Sequence, residues 1–263
     1  MNARSAWKDV FEAAIQKWMC AAGPPGPQSN HALRFMEVGH RDRNGRLVPK
    51  FCYLESGRED TSIKDDVLFI YFDESQSESE STLGYKPSSV DSTRGRHHFI
   101  IGTDTDVVTL AHEIGHAIGL IHEATRPDRD QYVEFRCEML SGFTAAVEKA
   151  MGDDNRLTEE EAKTKLCTDW DFADKYKFAA TDFIKESGGT ITGPFDMASI
   201  MMYPSEEGAG GVPACRANLD LCPMAKIERD AQGNKVGVSR IRQAPDPSPL
   251  DIAWLKQVYP WRR

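Results

Sequence analysis

The chain has no excess of positive charge. Lys and Arg number 32 against 41 Asp and Glu, a formal net charge of −9 with a pI of about 5.3. That argues against general nucleic-acid binding and against attachment to anionic membranes, both of which need clustered cations. Long hydrophobic runs are missing too. The longest unbroken apolar run is Val67-Leu68-Phe69-Ile70-Tyr71-Phe72, far short of a bilayer span, so no membrane insertion is expected. The N-terminus reads Met1-Asn2-Ala3-Arg4-Ser5-Ala6-Trp7-Lys8 and has no apolar h-region. No signal peptide is therefore expected in this chain, which reads as intracellular or as a trimmed form of a secreted protein. There is no CxxC pair, which argues against a cysteine-based zinc knuckle. The chain also lacks an Asn-x-Ser/Thr sequon, an internal repeat and a linker between autonomous domains.

What is present fits an ordinary globular protein: 263 residues, 40% hydrophobic and 28% charged. That length suits one large or two-lobed domain and can bury a core without disulfides. Six cysteines, at 20, 52, 137, 167, 215 and 222, are an even number that permits disulfides without requiring them.

Periodicity places the elements. Trp7, Val10, Phe11, Ala14 and Trp18 make one apolar face of a helix over Ala3–Ala22, stopped by Gly23-Pro24-Pro25-Gly26-Pro27. Strands are expected near 32–38 and 50–54, and most clearly at 67–72, whose apolar character on both faces predicts a central strand. Residues 73–82 read as an exposed acidic loop, and 96–102 as another strand. Val107, Leu110, Ala111, Ile114 and Ile118 mark a helix over 106–120 with Asp106 as N-cap. Helices are also expected over 137–151, after the capping-box start at Thr158, and over 251–258. The stretch 188–249 reads as largely irregular. Trp170 and Phe195 read as core, and 208–220 as a rim loop.

One stretch carries chemistry. Residues 110–122 read Leu-Ala-His-Glu-Ile-Gly-His-Ala-Ile-Gly-Leu-Ile-His, containing HExxHxxGxxH. His112 and His116 are four apart on a helix, so both imidazoles project from one face and can hold a single ion. Glu113 lies about 100° around the helix from His112. It cannot join as a ligand there but can reach a metal-bound water and take its proton. Gly119 falls at the helix end, where a sharp turn needs positive φ. That turn lets His122 return as a third nitrogen ligand, the open-site pattern of catalytic zinc.

The same stretch continues Glu123-Ala124-Thr125-Arg126-Pro127-Asp128-Arg129-Asp130. Together they closely resemble the astacin signature HExxHxxGxxHExxRxDRD, which separates astacins from other metzincins. Ser199-Ile200-Met201-Met202-Tyr203 resembles the family's Met-turn, SxMxY, and Ser248-Pro249-Leu250-Asp251-Ile252 with Val258-Tyr259 its C-terminal pattern. The resemblance implies a zincin-type α+β fold in two lobes, about 1–120 and 121–263. The first would hold a mixed twisted sheet and two long helices, and the second would be mostly irregular. It implies a zinc metalloendopeptidase with one Zn2+, a polypeptide substrate in the cleft between the lobes, and secretion, with a cytoplasmic location as the alternative; a monomer is expected. It implies His112, His116 and His122 as ligands and Glu113 as the base. Met201 would be a hydrophobic base beneath the metal. Tyr203 would be a fifth ligand that later stabilises the oxyanion. Gly119, Glu123 and Arg126 would support the site, with the 126–130 ions holding the third-ligand loop. The strand Phe99, Ile100 and Ile101 would align the substrate backbone.

The chain departs from the pattern in places. Met202 stands where the family usually has His, and the family's two disulfides do not map. Local pairings 215–222, 137–167 and 20–52 are open alternatives. The segment that shapes the family's acidic preference is poorly matched around Gln243-Ala244. Two rival readings are a metzincin of another group and a catalytically silent peptide-binding module on the same fold. The Glu123–Asp130 extension argues against the first, and Glu113 with Tyr203 against the second.

Overall fold

The computed structural model describes residues 3–58, 60–93, 95–186 and 193–262. The chain forms two compact units, Met1–Ile121 with Pro245–Arg263, and His122–Ala244. The first holds α1 (Ala3–Ala22), β1 (Gly39–Arg41), β2 (Leu47–Pro49), β3 (Phe69–Phe72), β4 (Glu80–Ser81), β5 (His98–Ile101) and α2 (Val107–Ile118). The second holds β6 (Val133–Phe135), α3 (Phe143–Asp153), α4 (Glu159–Thr168), α5 (Trp170–Lys175), α6 (Val212–Ala217), β7 (Met224–Arg229) and β8 (Lys235–Ser239). The last helix, α7 (Pro249–Val258), belongs to the first unit, although the sequence grouped it with the second lobe. Helices and mixed sheets together make the expected α+β class.

In the first unit, α1 spans the predicted residues and buries the predicted face. Ala14 and Trp18 are wholly enclosed, and Trp18 Nε1 donates to the Ala111 carbonyl at 2.8 Å. Phe11 meets the ring edge of Phe99 with centroids 5.1 Å apart, and Trp7 stacks on Phe72 at 4.5 Å. These contacts fix α1 against both α2 and the sheet, which joins β3, β5 and β4 in that order. Strand β3 pairs with β5 in parallel, Phe69 opposite His98, and β4 pairs with β5 antiparallel, Ser81 opposite Phe99.

Several expectations change here. The apolar run at 67–72 forms β3 at an edge of the sheet, with Ile70 and Tyr71 exposed. Such residues suit a half-covered pleated surface as well as a fully covered one, so apolar character alone does not mark the middle strand. Strands expected near 32–38 and 50–54 are replaced by the ribbon of β1 and β2 between them. Its turn sets the pairing: Asp42 Oδ1 accepts from the amides of Asn44 and Arg46, so the residues flanking that turn pair first. The acidic loop at 73–82 contains β4.

The second unit packs Leu166, Phe178, Phe183, Met202 and Met224 in its core beside the antiparallel sheet β6-β7-β8. The helix expected over 137–151 is divided, because Gly142 adopts φ 77° and breaks it into a short turn at Cys137–Met139 and α3. The capping box of α4 forms as predicted, with Thr158 Oγ1 accepting from the Glu161 amide and Glu161 Oε2 from the Thr158 amide. The stretch 188–249, whose first five residues lie outside those described, is more regular than expected, carrying α6 and the β7–β8 hairpin. These strands read Met-Ala-Lys-Ile-Glu-Arg and Lys-Val-Gly-Val-Ser, with few β-branched residues. Their pairing is set by the Asp230–Asn234 turn, where Asp230 Oδ1 accepts two backbone amides. Trp170, expected in the core, is 53% exposed because it opens α5. Phe195 is half-buried and stacks on Tyr132 at 4.5 Å.

Disulfides join Cys137 to Cys167 and Cys215 to Cys222. The Cys20–Cys52 pairing is not made, since Cys20 faces solvent on α1 as a thiol. The 137–167 bridge closes a loop with a sequence separation of 30 and ties the short turn before α3 to the end of α4. Chain-entropy arguments give such a crosslink about 3–4 kcal/mol, and the separation of 7 at Cys215–Cys222 about 2 kcal/mol. Replacing Cys137 and Cys167 together by Ser is therefore expected to lower the unfolding free energy more than the same change at Cys215 and Cys222, read from urea midpoints under equal conditions.

Candidate metal centre

Helix α2 supplies the first two imidazoles. Asp106 caps it, its carboxylate accepting from the Thr109 amide at 2.8 Å. The helix buries Leu110, Ala111, Ile114 and Ile118, so its register is locked by the apolar face. His112 and His116 come side by side on it with ring centroids 4.9 Å apart. His116 Nδ1 lies 2.8 Å from the Leu120 carbonyl. A carbonyl only accepts, so Nδ1 carries the proton and Nε2 is left as a lone pair. Burial lowers the His116 pKa, the Leu120 carbonyl opposing it, which keeps the ring neutral as a metal ligand must be.

The helix ends at Gly119, with φ 109°. The sequence expectation of a left-handed turn there holds, and the chain comes round to His122. One ligand atom each from His112, His116 and His122 lies within 4.8 Å of the other two. Around zinc at 2.0–2.1 Å, tetrahedral nitrogens stand about 3.4 Å apart. Three imidazoles from one continuous stretch, with no fourth protein ligand required, fit a zinc ion with an open position.

Glu113 is only 8% exposed, and Ser81 Oγ donates to its backbone carbonyl at 2.7 Å. Burial pushes its carboxyl up to about 8 against the pull of Ser81 hydrogen bonding. A cation held by the three histidines beside it would draw the carboxyl back down, to the ionised form that can take a proton from water. Tyr203 stands beside His122, its Oη 2.9 Å from Nε2 and 3.0 Å from Nδ1. Met201 is wholly buried, and its carbonyl accepts from the Glu123 amide at 3.2 Å.

The segment after His122 is braced by ions. Arg126 binds Asp128 through two bonds, Nε to Oδ1 at 2.9 Å and Nη2 to Oδ2 at 3.0 Å. It also donates to the Pro194 and Gly193 carbonyls and pairs with Glu123 at 3.5 Å. Glu123 in turn accepts from the Asp196 amide. Buried Arg129 donates to the Ala124 and Phe183 carbonyls and pairs with Asp130, which also meets Lys185. The expected ion network is therefore present, and it ties residues 123–130 to the segment leading into the Met-turn.

One expected site element changes. Phe99, Ile100 and Ile101 lie in the middle of their sheet, with β3 on one side and β4 on the other. Both backbone edges of β5 are used, so it has no edge to offer a peptide. Among the described residues β4 has no strand on its outer side. Sequence reading placed 73–82 in a solvent loop because two paired residues leave no periodicity to detect. It gives no role to Gly84, whose amide donates to the His116 carbonyl at 2.8 Å, and it marks Tyr259 only as part of the C-terminal pattern, without the bond from its Oη to the Ile118 carbonyl at 2.8 Å.

A family model described as Astacin, a peptidase family, matches residues 70–192. Among curated proteins, the chain is 28% identical over 131 residues to zinc metalloproteinase nas-22 of Caenorhabditis elegans, covering 49% of this chain and 27% of that protein. It is 38% identical over 69 residues to astacin-like metalloprotease toxin 4 of Loxosceles laeta, covering 26% of this chain and 53% of that protein. The chain thus matches about a quarter to a half of these relatives' length. Among solved structures it is similar to high choriolytic enzyme 1, a hatching enzyme zinc-protease from Oryzias latipes, with TM-score 0.52 and 17% identity over 95% of this chain and 82% of that one. That likeness shows the fold.

Arg126→Ala strands a nearly buried carboxylate at Asp128. It is expected to lower the unfolding free energy by about 3 kcal/mol at neutral pH, and Arg126→Lys to recover only part, because an ammonium cannot make the two-bond fork. Arg126 holds the Asp128 carboxyl below its ordinary range. The contribution is complete above the unfolded value of about 3.9 and is lost as pH falls through the lower folded value. Wild type and variant should therefore converge in acid; the pH series of urea midpoints checks this.

Proposed function

We infer that this chain, which belongs to the astacin family of peptidases across residues 70–192, is a zinc-dependent endopeptidase that hydrolyses peptide bonds in proteins. The observation that carries the reading is the convergence of His112, His116 and His122, with buried Glu113 on the same helix. When bound, zinc supplies a Lewis acid for the scissile carbonyl and lowers the pKa of a coordinated water. His112 and His116 hold the ion from one helix face, and His122 completes the set from beyond the turn. Glu113 takes the proton of the attacking water at its carboxylate and delivers it to the leaving amine. Tyr203 Oη would donate a hydrogen bond to the oxygen where negative charge develops, and would be a further oxygen ligand for zinc when no substrate is bound.

The substrate would be an extended polypeptide whose backbone adds to the outer edge of β4. Strand β4 runs beside α2, joined to it by the Ser81 hydroxyl and the Gly84 amide, so a peptide on that edge would pass the helix that carries Glu113. The two disulfides support an oxidising location outside the cytoplasm. Among the described residues no helix is long and apolar enough to cross a membrane.

The test is cleavage of a casein-type protein by the wild-type chain beside Glu113→Gln. At least a hundredfold loss of turnover is expected in the variant, with zinc content unchanged at one per chain. Equal activity in both would remove Glu113 from the reaction. Tyr203→Phe is expected to lower kcat by about 10–100-fold with little change in KM; a rise in KM alone would assign Tyr203 to substrate binding instead.

A further inference from the structure

We propose that Trp254 and Tyr259, in and just after α7, are positioning residues for the metal centre. They fix the turn through Gly119 that carries the chain from His116 to His122. The proposal rests on the reading of the three histidines as a zinc site.

The last carbonyls of a helix have no partner within it and must find one elsewhere. Here the partners of three of them are identifiable. The Gly115 carbonyl accepts from the Leu120 amide at 2.9 Å. The His116 carbonyl accepts from the Gly119 amide and, from outside the helix, from the Gly84 amide, both at 2.8 Å. The Ile118 carbonyl accepts from Tyr259 Oη at 2.8 Å. Ile118 is buried, so removing that hydroxyl leaves its carbonyl without a donor where water does not readily replace it.

Trp254 works from the side. A Cβ added at Gly119 would lie 3.4 Å from its Cη2. The indole therefore lies over the face of the turn that the missing side chain leaves open, at the distance of an ordinary van der Waals contact for a methyl group there. Tyr259 is itself anchored: its amide donates to the Leu255 carbonyl, and its carbonyl accepts from the Ala32 amide at 2.8 Å. The capping box of α7, Ser248 with Asp251, holds the other end of that helix. A turn pinned at Ile118 and Gly119 leaves only Leu120 and Ile121 before His122, so its orientation limits where the third imidazole can point. Both aromatics act through the backbone of the turn.

The experiment compares the full chain with Tyr259→Phe, Trp254→Ala, Trp254→Phe and Val258→Ala. Val258 is an exposed residue of the same helix and serves as the control. Zinc affinity is read by competition with a chromophoric chelator, and ligand geometry by the visible absorption of the cobalt(II)-loaded protein. Tyr259→Phe and Trp254→Ala are expected to weaken zinc about tenfold, as partners outside the ligand set do elsewhere, and to shift the cobalt spectrum. Trp254→Phe should recover most of the loss, and Val258→Ala should match wild type. Unchanged zinc affinity and cobalt spectrum in Tyr259→Phe and Trp254→Ala, with only a lower melting temperature, would overturn the proposal and leave the aromatics as fold contacts. A wild-type chain that binds no zinc would instead overturn the zinc reading, and this proposal with it.

Discussion

A helix can present two imidazoles to one ion, because residues four apart share a face, but it cannot present a third at the same height. The third must come from chain that has left the helix and turned back. The metal centre therefore depends on how α2 ends. At Gly119 the backbone enters the left-handed region at φ 109°, where a side chain is costly, and Trp254 stands within contact range of where one would be. The hydrogen bonds that close the helix end are shared between its own turn, the Gly84 amide and the Tyr259 hydroxyl. The chain just after β4 and just after α7 is thus part of the termination of α2, and through it part of the site.

On the far side of His122 the problem is electrostatic. Residues 123–130 carry several charges at low exposure, and an uncompensated buried charge would cost several kcal/mol. Arg126 and Arg129 resolve this by combining carboxylate partners with backbone carbonyls, so that each guanidinium is satisfied in more than one direction. The same bonds reach Pro194 and Phe183, and Glu123 reaches Asp196. A stretch with only short 3-10 turns is held in one conformation by a fixed set of charged hydrogen bonds, which then supports the Ser199–Tyr203 turn and the tyrosine beside His122.

The three-histidine cluster, the Asp106 cap, the Gly119 turn and the capping box of α4 are legible in the sequence because each is a local rule with fixed spacing. The α1 face was legible for the same reason. What escaped depends on partners distant in sequence. Strand β4 has two paired residues and no periodicity, so the edge of the sheet was assigned to β5 and the middle to β3. The β7–β8 hairpin was hidden by strands poor in β-branched residues and is written instead in its Asp230–Asn234 turn. Trp170 is expected in the core, yet its place at the head of α5 leaves it in solvent. No pattern within one segment could have joined Tyr259 to Ile118, since their link is made only when α7 returns to the first unit.

The central claim is a zinc ion held by three histidines with the remaining position open to a light oxygen donor. X-ray absorption at the zinc edge of the loaded chain tests it most directly. The account predicts a first shell of nitrogen and oxygen at about 2.0–2.1 Å, outer-shell scattering from three imidazoles, and no sulfur at about 2.3 Å. A sulfur contribution, or scattering from fewer than three imidazoles, would contradict it.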